Sequence, residues 1–200
     1  MKKLLLSGVI ASMMLSGCQL TKTSTSYIDA KDTTTNIVAT ISYADFNKAA
    51  TELADEIIAS PGLAQKDGSR TIVLVDEITN DTMQRIDTDQ LTKGIRVKLL
   101  QSGLFAVTTA FGEDDSTRKA RSLKDSELVN QKTVKKSGTV LAADYSLSGK
   151  IIQRNATLDN DDTRIEYYFQ LTMTNLEYGV AFWEGERVVG KVADGSTVSW

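Results

Sequence analysis

The chain has 200 residues, a formal net charge of -3, one Cys and no His. One Cys excludes an internal disulfide framework, and the lack of His excludes His-ligated zinc and the Ser–His and Cys–His catalytic pairs. The slightly acidic charge gives no overall electrostatic reason to bind nucleic acid, so we expect no nucleic-acid partner.

The N-terminus has the pattern of a secretory signal peptide followed by a lipidation site. Two lysines precede an apolar run over 4–15, which is too short to span a bilayer but fits the core of a signal peptide. The letters LSGC at positions 15–18 resemble a bacterial lipobox. This resemblance implies a signal peptide over 1–17 and a Cys18 that carries a covalent diacylglycerol and an N-acyl chain. The alternative is a free Cys18 after an ordinary secretory signal.

A tether is predicted between the lipid anchor and the globular region. Gln19 stands where Asp would retain an enterobacterial lipoprotein in the inner membrane, so we expect an outer-membrane protein that faces the periplasm. Two or more acyl chains anchor a protein stably. Residues 18–41 then form the tether, and nine of the residues 19–41 are Ser or Thr. Its extended reach is roughly 75–80 Å at ~3.3–3.6 Å per residue. The alternative is an edge strand over 36–41.

The first half of the globular region, 42–200, predicts alternating helices and strands. The predicted elements are a helix over 43–59, a strand over 71–78, a polar loop over 79–82, a helix over 89–102 and a strand over 104–110. Ser42 and Thr88 stand at the N-cap positions of the two helices, and Gly103 stands just after the second. The apolar stripe of the second helix comprises Leu91, Ile95, Leu99 and Leu100.

The last third of the chain predicts an antiparallel meander. Alternating apolar residues predict strands over 143–154, 163–174 and 180–192, joined by polar turns at 159–162 and 177–179. The apolar set of the middle strand is Ile165, Tyr167, Phe169, Leu171 and Met173. The whole pattern favours the α/β (α+β) class, with a mixed sheet of about four to five strands, helices on one face and the meander last.

Residues 116–137 carry seven Lys or Arg against two acids. One interpretation is an electrostatic patch for an anionic polymer or an acidic partner. The other is a solvated helix and loop, and we favour it because the apolar stripe of this segment is thin.

The chemical inventory of the chain is poor. Asp159, Asp161 and Asp162 could ligate Ca²⁺, but the segment lacks the Gly and Glu of an EF-hand loop and fits a polar turn better. Neither a phosphate-binding Gly-rich loop nor a GxSxG nucleophile motif is present. We therefore expect a protein that is not an enzyme, with no metal and no cofactor besides the lipid on Cys18.

A partner surface is predicted on the sheet face away from the helices. If Tyr167, Phe169, Leu171 and Trp183 face the helices, the alternate residues face outward. This candidate surface comprises Ile152, Arg154, Glu166, Tyr168 and Phe182. Exposed Tyr, Phe and Arg are enriched at protein interfaces. The alternative is that another part of the fold covers these residues.

Several segments, in this order, resemble the LpoB-type outer-membrane lipoprotein activators of penicillin-binding proteins. The segments are YADF (43–46), VLVDEITNDT (73–82), LTKGIRVKLLQSGLFAVTTA (91–110), ADYSLSGKI (143–151) and NLEYGVAFWEGE (175–186). The resemblance implies a fold like the N-terminal domain of TolB. It also implies binding to the regulatory domain of a bifunctional class A penicillin-binding protein of the 1b type. Such an activator stimulates glycan polymerisation and peptide cross-linking, with peptidoglycan as a further binding candidate.

Two rival functions stay open at the level of sequence. Activators of this type can carry a long Pro-rich tether, whereas this chain has no Pro before Pro61. A flagellum-associated or general cell-envelope outer-membrane lipoprotein on a similar fold is therefore the alternative. A lipoprotein that binds a solute or glycan is a third interpretation.

Overall fold

The computed structural model describes residues 26–32, 34–35, 37–109 and 116–194. Its helices are α1 (Tyr43–Ala59), α2 (Asp89–Gln101) and α3 (Ser116–Ser122). Its strands are β1 (Thr71–Asp81), β2 (Phe105–Val107), β3 (Tyr145–Thr157), β4 (Thr163–Asn175) and β5 (Val180–Ala193). The signal peptide over 1–17 and Cys18 lie outside the described residues, so their assignment stays a prediction.

The five strands form one mixed sheet in the order β2-β1-β3-β4-β5. β1 runs parallel to both β2 and β3, whereas β3, β4 and β5 form an antiparallel meander. α1 packs against α2 and β5, and α2 packs against β1 and β2. Both helices thus cover one side of the sheet, which we call the inner face. The predicted fold class is confirmed.

The start of α1 is fixed by a capping box. The Ser42 hydroxyl accepts a hydrogen bond from the Asp45 backbone N–H, and the Asp45 carboxylate accepts one from the Ser42 N–H at 2.7 Å. The helix buries its apolar stripe in the core. The buried members of this stripe are Phe46, Ala49, Ala50, Leu53, Ala54 and Ile57. The predicted bounds of α1 are confirmed.

The second helix begins at Asp89, as predicted, and ends at Gln101, but the roles of Thr88 and Leu100 differ from the prediction. Thr88 precedes α2 in a helical backbone conformation (φ -72°, ψ -11°), and its side chain makes no cap hydrogen bond. An N-cap needs an extended backbone to aim its oxygen at the first N–H groups. Leu100 is 46% exposed, whereas Leu91, Ile95 and Leu99 are fully buried. Leu100 lies about 100° around the helix from Leu99, which turns it away from the sheet.

The strands β1 and β2 also differ from the prediction in length. β1 continues through Thr79, Asn80 and Asp81, where the sequence predicts a polar loop. These residues keep parallel register with β3, as far as the pair Asp81–Ile152. Backbone pairing with β3 therefore keeps these three residues in a strand, although their polar side chains are typical of a loop. β2 is only three residues long, and Gly103 before it has the positive φ (+76°) expected of a helix C-terminus.

The inner faces of β3 and β4 form the centre of the core. The predicted apolar set of β4 is buried in full. Phe169 meets Phe46 of α1 edge to face, with ring centroids 5.9 Å apart. At the edge of the sheet, Arg187 of β5 forms ion pairs with Glu52, at 2.9 Å, and Glu56 of α1. Apolar packing and charge pairs together hold α1 on the sheet.

The segment before α1, residues 37–42, lies against the domain, and we call it the strap. The Lys191 ammonium on β5 donates to the carbonyls of Val38 (2.9 Å) and Thr40 (2.7 Å) and to the Asp45 carboxylate (2.6 Å). Only 7% of the Lys191 side chain is exposed. One buried cation therefore joins the strap, the first turn of α1 and the last strand.

A second set of hydrogen bonds holds the same strap. The Tyr167 hydroxyl donates to the Ala39 carbonyl at 3.4 Å and accepts from the Gln84 amide at 2.5 Å. The Gln84 side-chain oxygen in turn accepts from the Ile41 N–H at 3.3 Å. Residues 37–41 form no strand, so the described part of 36–41 is not an edge strand. Hydrogen bonds from side chains, rather than backbone pairing with a neighbouring strand, hold this segment in place.

The basic segment 116–137 is partly helical, as predicted. α3 is short and buries none of its side chains, and turns follow it as far as β3. Leu123 and Leu128 are exposed, whereas Val129 and Val134 are half-buried. The acidic residues just before α3 lie outside the described residues.

Candidate functional site

The candidate site is the outer face of the sheet, opposite α1 and α2. Three apolar residues stand side by side there on neighbouring strands: Ile152 of β3 pairs with Tyr168 of β4, which pairs with Val188 of β5. Directly opposed side chains in an antiparallel sheet lie within contact distance. We call these three residues the central row. Val188 is 49% exposed, and the other two are partly exposed.

Charged residues of β3 and β4 lie next to the central row. Arg154 is the register partner of Glu166, two residues along each strand from the row. The Tyr168 hydroxyl donates to the Glu166 carboxylate at 2.7 Å, and Arg164 forms an ion pair with the same carboxylate. The Tyr168 hydrogen bond lowers the pKa of Glu166, and the same bond raises the pKa of Tyr168. The ring of Tyr168 is thereby held in a fixed orientation beside the row.

The opposite side of the row is acidic. Glu186 on β5 accepts from the Gln170 amide at 2.7 Å, and Glu184 accepts from the Thr172 hydroxyl at 3.4 Å. Across the sheet, Lys150 pairs in register with Gln170 and is exposed on β3. The outer face therefore has an apolar centre with cations on β3 and carboxylates on β5. An apolar centre with a charged rim is the usual anatomy of a protein interface.

Phe182 does not belong to this face, contrary to the prediction. The register of β4 and β5 shifts between Met173 and Thr174, so Phe182 is an extra residue in β5. Its ring meets that of Tyr145 edge to face, with centroids 5.7 Å apart. Tyr145 points to the inner face, and two rings on β3 and β5 touch across β4 only when both lie on one face. The bulge thus turns Phe182 to the inner side, at an end of the sheet where it is 47% exposed.

The acidic turn between β3 and β4 is closed by its own hydrogen bonds. The Leu158 N–H donates to the Asp162 carbonyl at 2.8 Å, and the Asn160 amide donates to the Asp162 carboxylate at 2.7 Å. Asp161 takes a left-handed conformation (φ +65°). Across the part of the chain that the structure describes, no group of three metal-ligating side chains is placed to hold an ion. No described helix combines the length and the apolar character needed to cross a membrane.

One family model matches most of this domain. Residues 45–189 match a family described as the peptidoglycan-synthase activator LpoB. The chain belongs to the LpoB family. No curated protein sequence matches this LpoB-family chain significantly.

Three solved structures of LpoB proteins resemble this LpoB-family chain. The C-terminal domain of Salmonella enterica LpoB is 17% identical, over 72% of this chain and 98% of that chain, with a TM-score of 0.46. The C-terminal domain of Escherichia coli LpoB is 18% identical, over 74% and 99%, with a TM-score of 0.41. The NMR structure of Escherichia coli LpoB is 16% identical, over 96% of both chains, with a TM-score of 0.43. Membership of the LpoB family rests on the family model, which matches by sequence.

The match to the LpoB family includes the whole central row, since it extends to residue 189. Sequence reasoning placed Ile152, Arg154 and Tyr168 on the outer face correctly and missed Val188. Strict alternation counted forward from Trp183, which the sequence analysis turns to the helices, puts Val188 outward, so that signal was present in the sequence. Alternation counted from Trp183 gave the wrong side for Phe182, because a bulge leaves no mark in the residue pattern.

Proposed function

We propose that this chain binds and stimulates a bifunctional class A penicillin-binding protein in peptidoglycan synthesis and catalyses no reaction itself. The observation that carries the proposal is the match of residues 45–189 to the family of peptidoglycan-synthase activators. The partner would be the regulatory domain of a synthase of the 1b type. An activator needs no catalytic group, because preferential binding to the active conformation of its partner is enough to raise the rate.

The outer face is the proposed surface of contact with the synthase. Its central row supplies apolar area, and a fixed Tyr beside an Arg is a common centre of binding energy. The carboxylates of β5 and the cations of β3 can orient the partner, because charges at the rim of an interface set its register. Peptidoglycan is a second candidate ligand for the same face.

The proposal is tested by measuring glycan-chain synthesis by each class A penicillin-binding protein of the same organism, with and without residues 19–200. We expect a several-fold stimulation of one synthase. If none responds and deletion of the gene impairs motility without sensitising cells to β-lactams, the flagellum-associated alternative replaces the proposal.

Replacement of Tyr168 by Ala tests the contact surface. We expect the affinity for the synthase to fall at least tenfold, because loss of a central aromatic residue costs roughly 2 kcal/mol or more. Surface plasmon resonance with the immobilised synthase measures it. The matched control is Phe182→Ala, which removes an aromatic ring that is 47% exposed on the inner side. A loss for Phe182→Ala with no loss for Tyr168→Ala places the contact elsewhere.

The proposed location is the periplasmic side of the outer membrane, where the acyl chains of Cys18 hold the protein. Replacement of Cys18 by Ser removes the sulfur that would carry the diacylglycerol. We expect a folded protein that leaves the membrane fraction after cell lysis, because the apolar chains supply the membrane affinity. Fractionation followed by immunoblotting measures the change. A variant that stays with the outer membrane contradicts the anchor.

A further inference from the structure

The strand β5 forms one edge of the sheet and is much longer than the strand at the other edge. β5 has 14 residues, whereas β2 has three. Soluble proteins commonly shorten or cover their edge strands, because every second residue of such a strand directs its backbone N–H and C=O away from the sheet. Among the described residues, backbone hydrogen bonds reach β5 from β4 alone. We call the unpaired side of β5 the free edge.

The features that commonly block an edge strand do not block this one. Inward-pointing cations and prolines are two such features. β5 contains no Pro. Its inward cations are engaged, since Arg187 pairs with two glutamates of α1 and Lys191 is buried against the strap. The bulge at Phe182 lies near the start of β5, and the pairing with β4 is regular from Trp183 to Ala193.

The strap borders the C-terminal end of the free edge. Residues 188–191 of β5 and residues 37–38 of the strap line opposite walls of a cavity of about 270 Å³. Residues 183–188 precede this cavity and keep the regular pairing with β4 on their other side. This half of the free edge is therefore the part on which another strand can be added.

The outer-face side chains along this half define what fits beside it. They are Glu184, Glu186 and Val188, and all three are exposed. Each carboxylate accepts one hydrogen bond from β4, as described above, and a carboxylate accepts about four. Among the described residues, neither glutamate forms an ion pair. Because opposite charges on neighbouring strands attract, a strand beside β5 gains stability by placing cations opposite both glutamates.

We propose that residues 183–188 bind an extended basic segment of a partner protein as a sixth strand. The segment runs antiparallel to β5 with the pattern apolar-x-basic-x-basic. Its apolar side chain lies opposite Val188 and continues the central row, and its Lys or Arg side chains lie opposite Glu186 and Glu184. Backbone hydrogen bonds supply the affinity of an added strand, and the alternate side chains supply its specificity. A second copy of this chain fits less well, because the outer face of its β5 carries carboxylates and no cation.

Fluorescence anisotropy with the labelled peptide TTVTKTKTT tests the proposal, using residues 19–200 and no synthase. We expect saturable binding that weakens about tenfold when Glu184→Gln and Glu186→Gln are combined, because two cross-strand charge pairs are lost. The matched control combines Asp76→Asn with Glu77→Gln, which removes two exposed carboxylates from β1 and should leave the affinity unchanged. Thermal melts confirm that both double variants stay folded. Equal losses in the two double variants overturn the proposal.

Two N-methylated peptides test the addition of a strand itself. One carries N-methyl groups on its Val and two Lys residues, and the other carries them on the Thr residues between and beside these. Only one of the two sets directs its N–H groups towards β5 in an added strand. We therefore expect one version to lose binding and the other to keep it. Equal effects of the two versions overturn the proposal, since a peptide held by charge alone does not distinguish them.

Sedimentation velocity of residues 19–200 tests a second copy as the occupant. We expect a monomer at the concentrations used for peptide binding. A dimer that TTVTKTKTT dissociates would assign the free edge to a second copy and overturn the basic partner. Absence of peptide binding also overturns the proposal, while the stimulation of a synthase, which is measured without the peptide, is judged separately.

Discussion

Replacing Lys191 by Met lowers the free energy of unfolding of this domain by roughly 3–5 kcal/mol, the range for removing one partner of a buried ion pair. The side chains of Lys191 and Asp45 are only 7% and 10% exposed. The variant leaves the Asp45 carboxylate inside the fold without its cation, and the carbonyls of Val38 and Thr40 lose their donor. Thermal unfolding should show a fall in Tm of about 10 °C or more.

The matched control for this prediction is Lys98→Met. Lys98 pairs with Asp55 at 3.1 Å, but the two side chains are 36% and 57% exposed. Exposed pairs contribute about 1 kcal/mol or less, so the same substitution should have little effect there. Equal losses in the two variants would contradict the role of burial. Adding Asp45→Asn to Lys191→Met should restore part of the stability, because it removes the unpaired charge.

The hydrogen bonds of the buried Lys191 also determine how much of the predicted tether is bound to the domain. Residues 38–40 lie against the domain, so the tether proposed to run from Cys18 is shorter than the sequence boundary at residue 41 suggests. The five strap residues that the sequence assigned to the tether, 37–41, correspond to roughly 17 Å of extended chain. The contact thus brings the domain closer to the membrane that would hold Cys18.

The sequence predicts those parts of the fold that depend on local periodicity. The bounds of α1 and the buried residues of β4 follow from the spacing of apolar residues alone. In both elements that spacing puts every apolar residue on the same face. The strap was not predictable in this way. Lys191 and Val38 are 153 positions apart, and nothing in either segment indicates that an ammonium will find those carbonyls.

The residues of the candidate site also divide into those that local alternation predicts and those that depend on distant pairing. Ile152 and Tyr168 follow from alternation within their own strands. Phe182 does not, because its side depends on a register shift that only the pairing of β4 with β5 defines. The C-terminal end of β1 could not be predicted for the same reason. Residues 79–81 are polar, and they continue the strand only because they pair with β3.

Replacing Gly149 by Ala disrupts the junction of β3 and β4. A Cβ at Gly149 would overlap the Gln170 carbonyl oxygen and lie 2.7 Å from Cδ2 of Leu171. The first neighbour is backbone in the adjacent strand, so it cannot move without breaking the sheet ladder. We expect a loss of roughly 3 kcal/mol or more in the free energy of unfolding, at the upper end for overpacked cores. Urea unfolding followed by circular dichroism measures it.

Gly190→Ala is the matched control, and its effect should have the opposite sign. A Cβ at Gly190 meets no atom within 4 Å, and Gly inside a strand is less stable than Ala by roughly 0.5–1 kcal/mol. A similar loss in both variants would show that the flexibility of glycine, not the close approach of β3 and β4, explains Gly149. The two glycine variants also help to interpret Tyr168→Ala. If Tyr168→Ala weakens binding to the synthase without the loss of stability expected for Gly149→Ala, the defect comes from the lost contact on the outer face and not from unfolding.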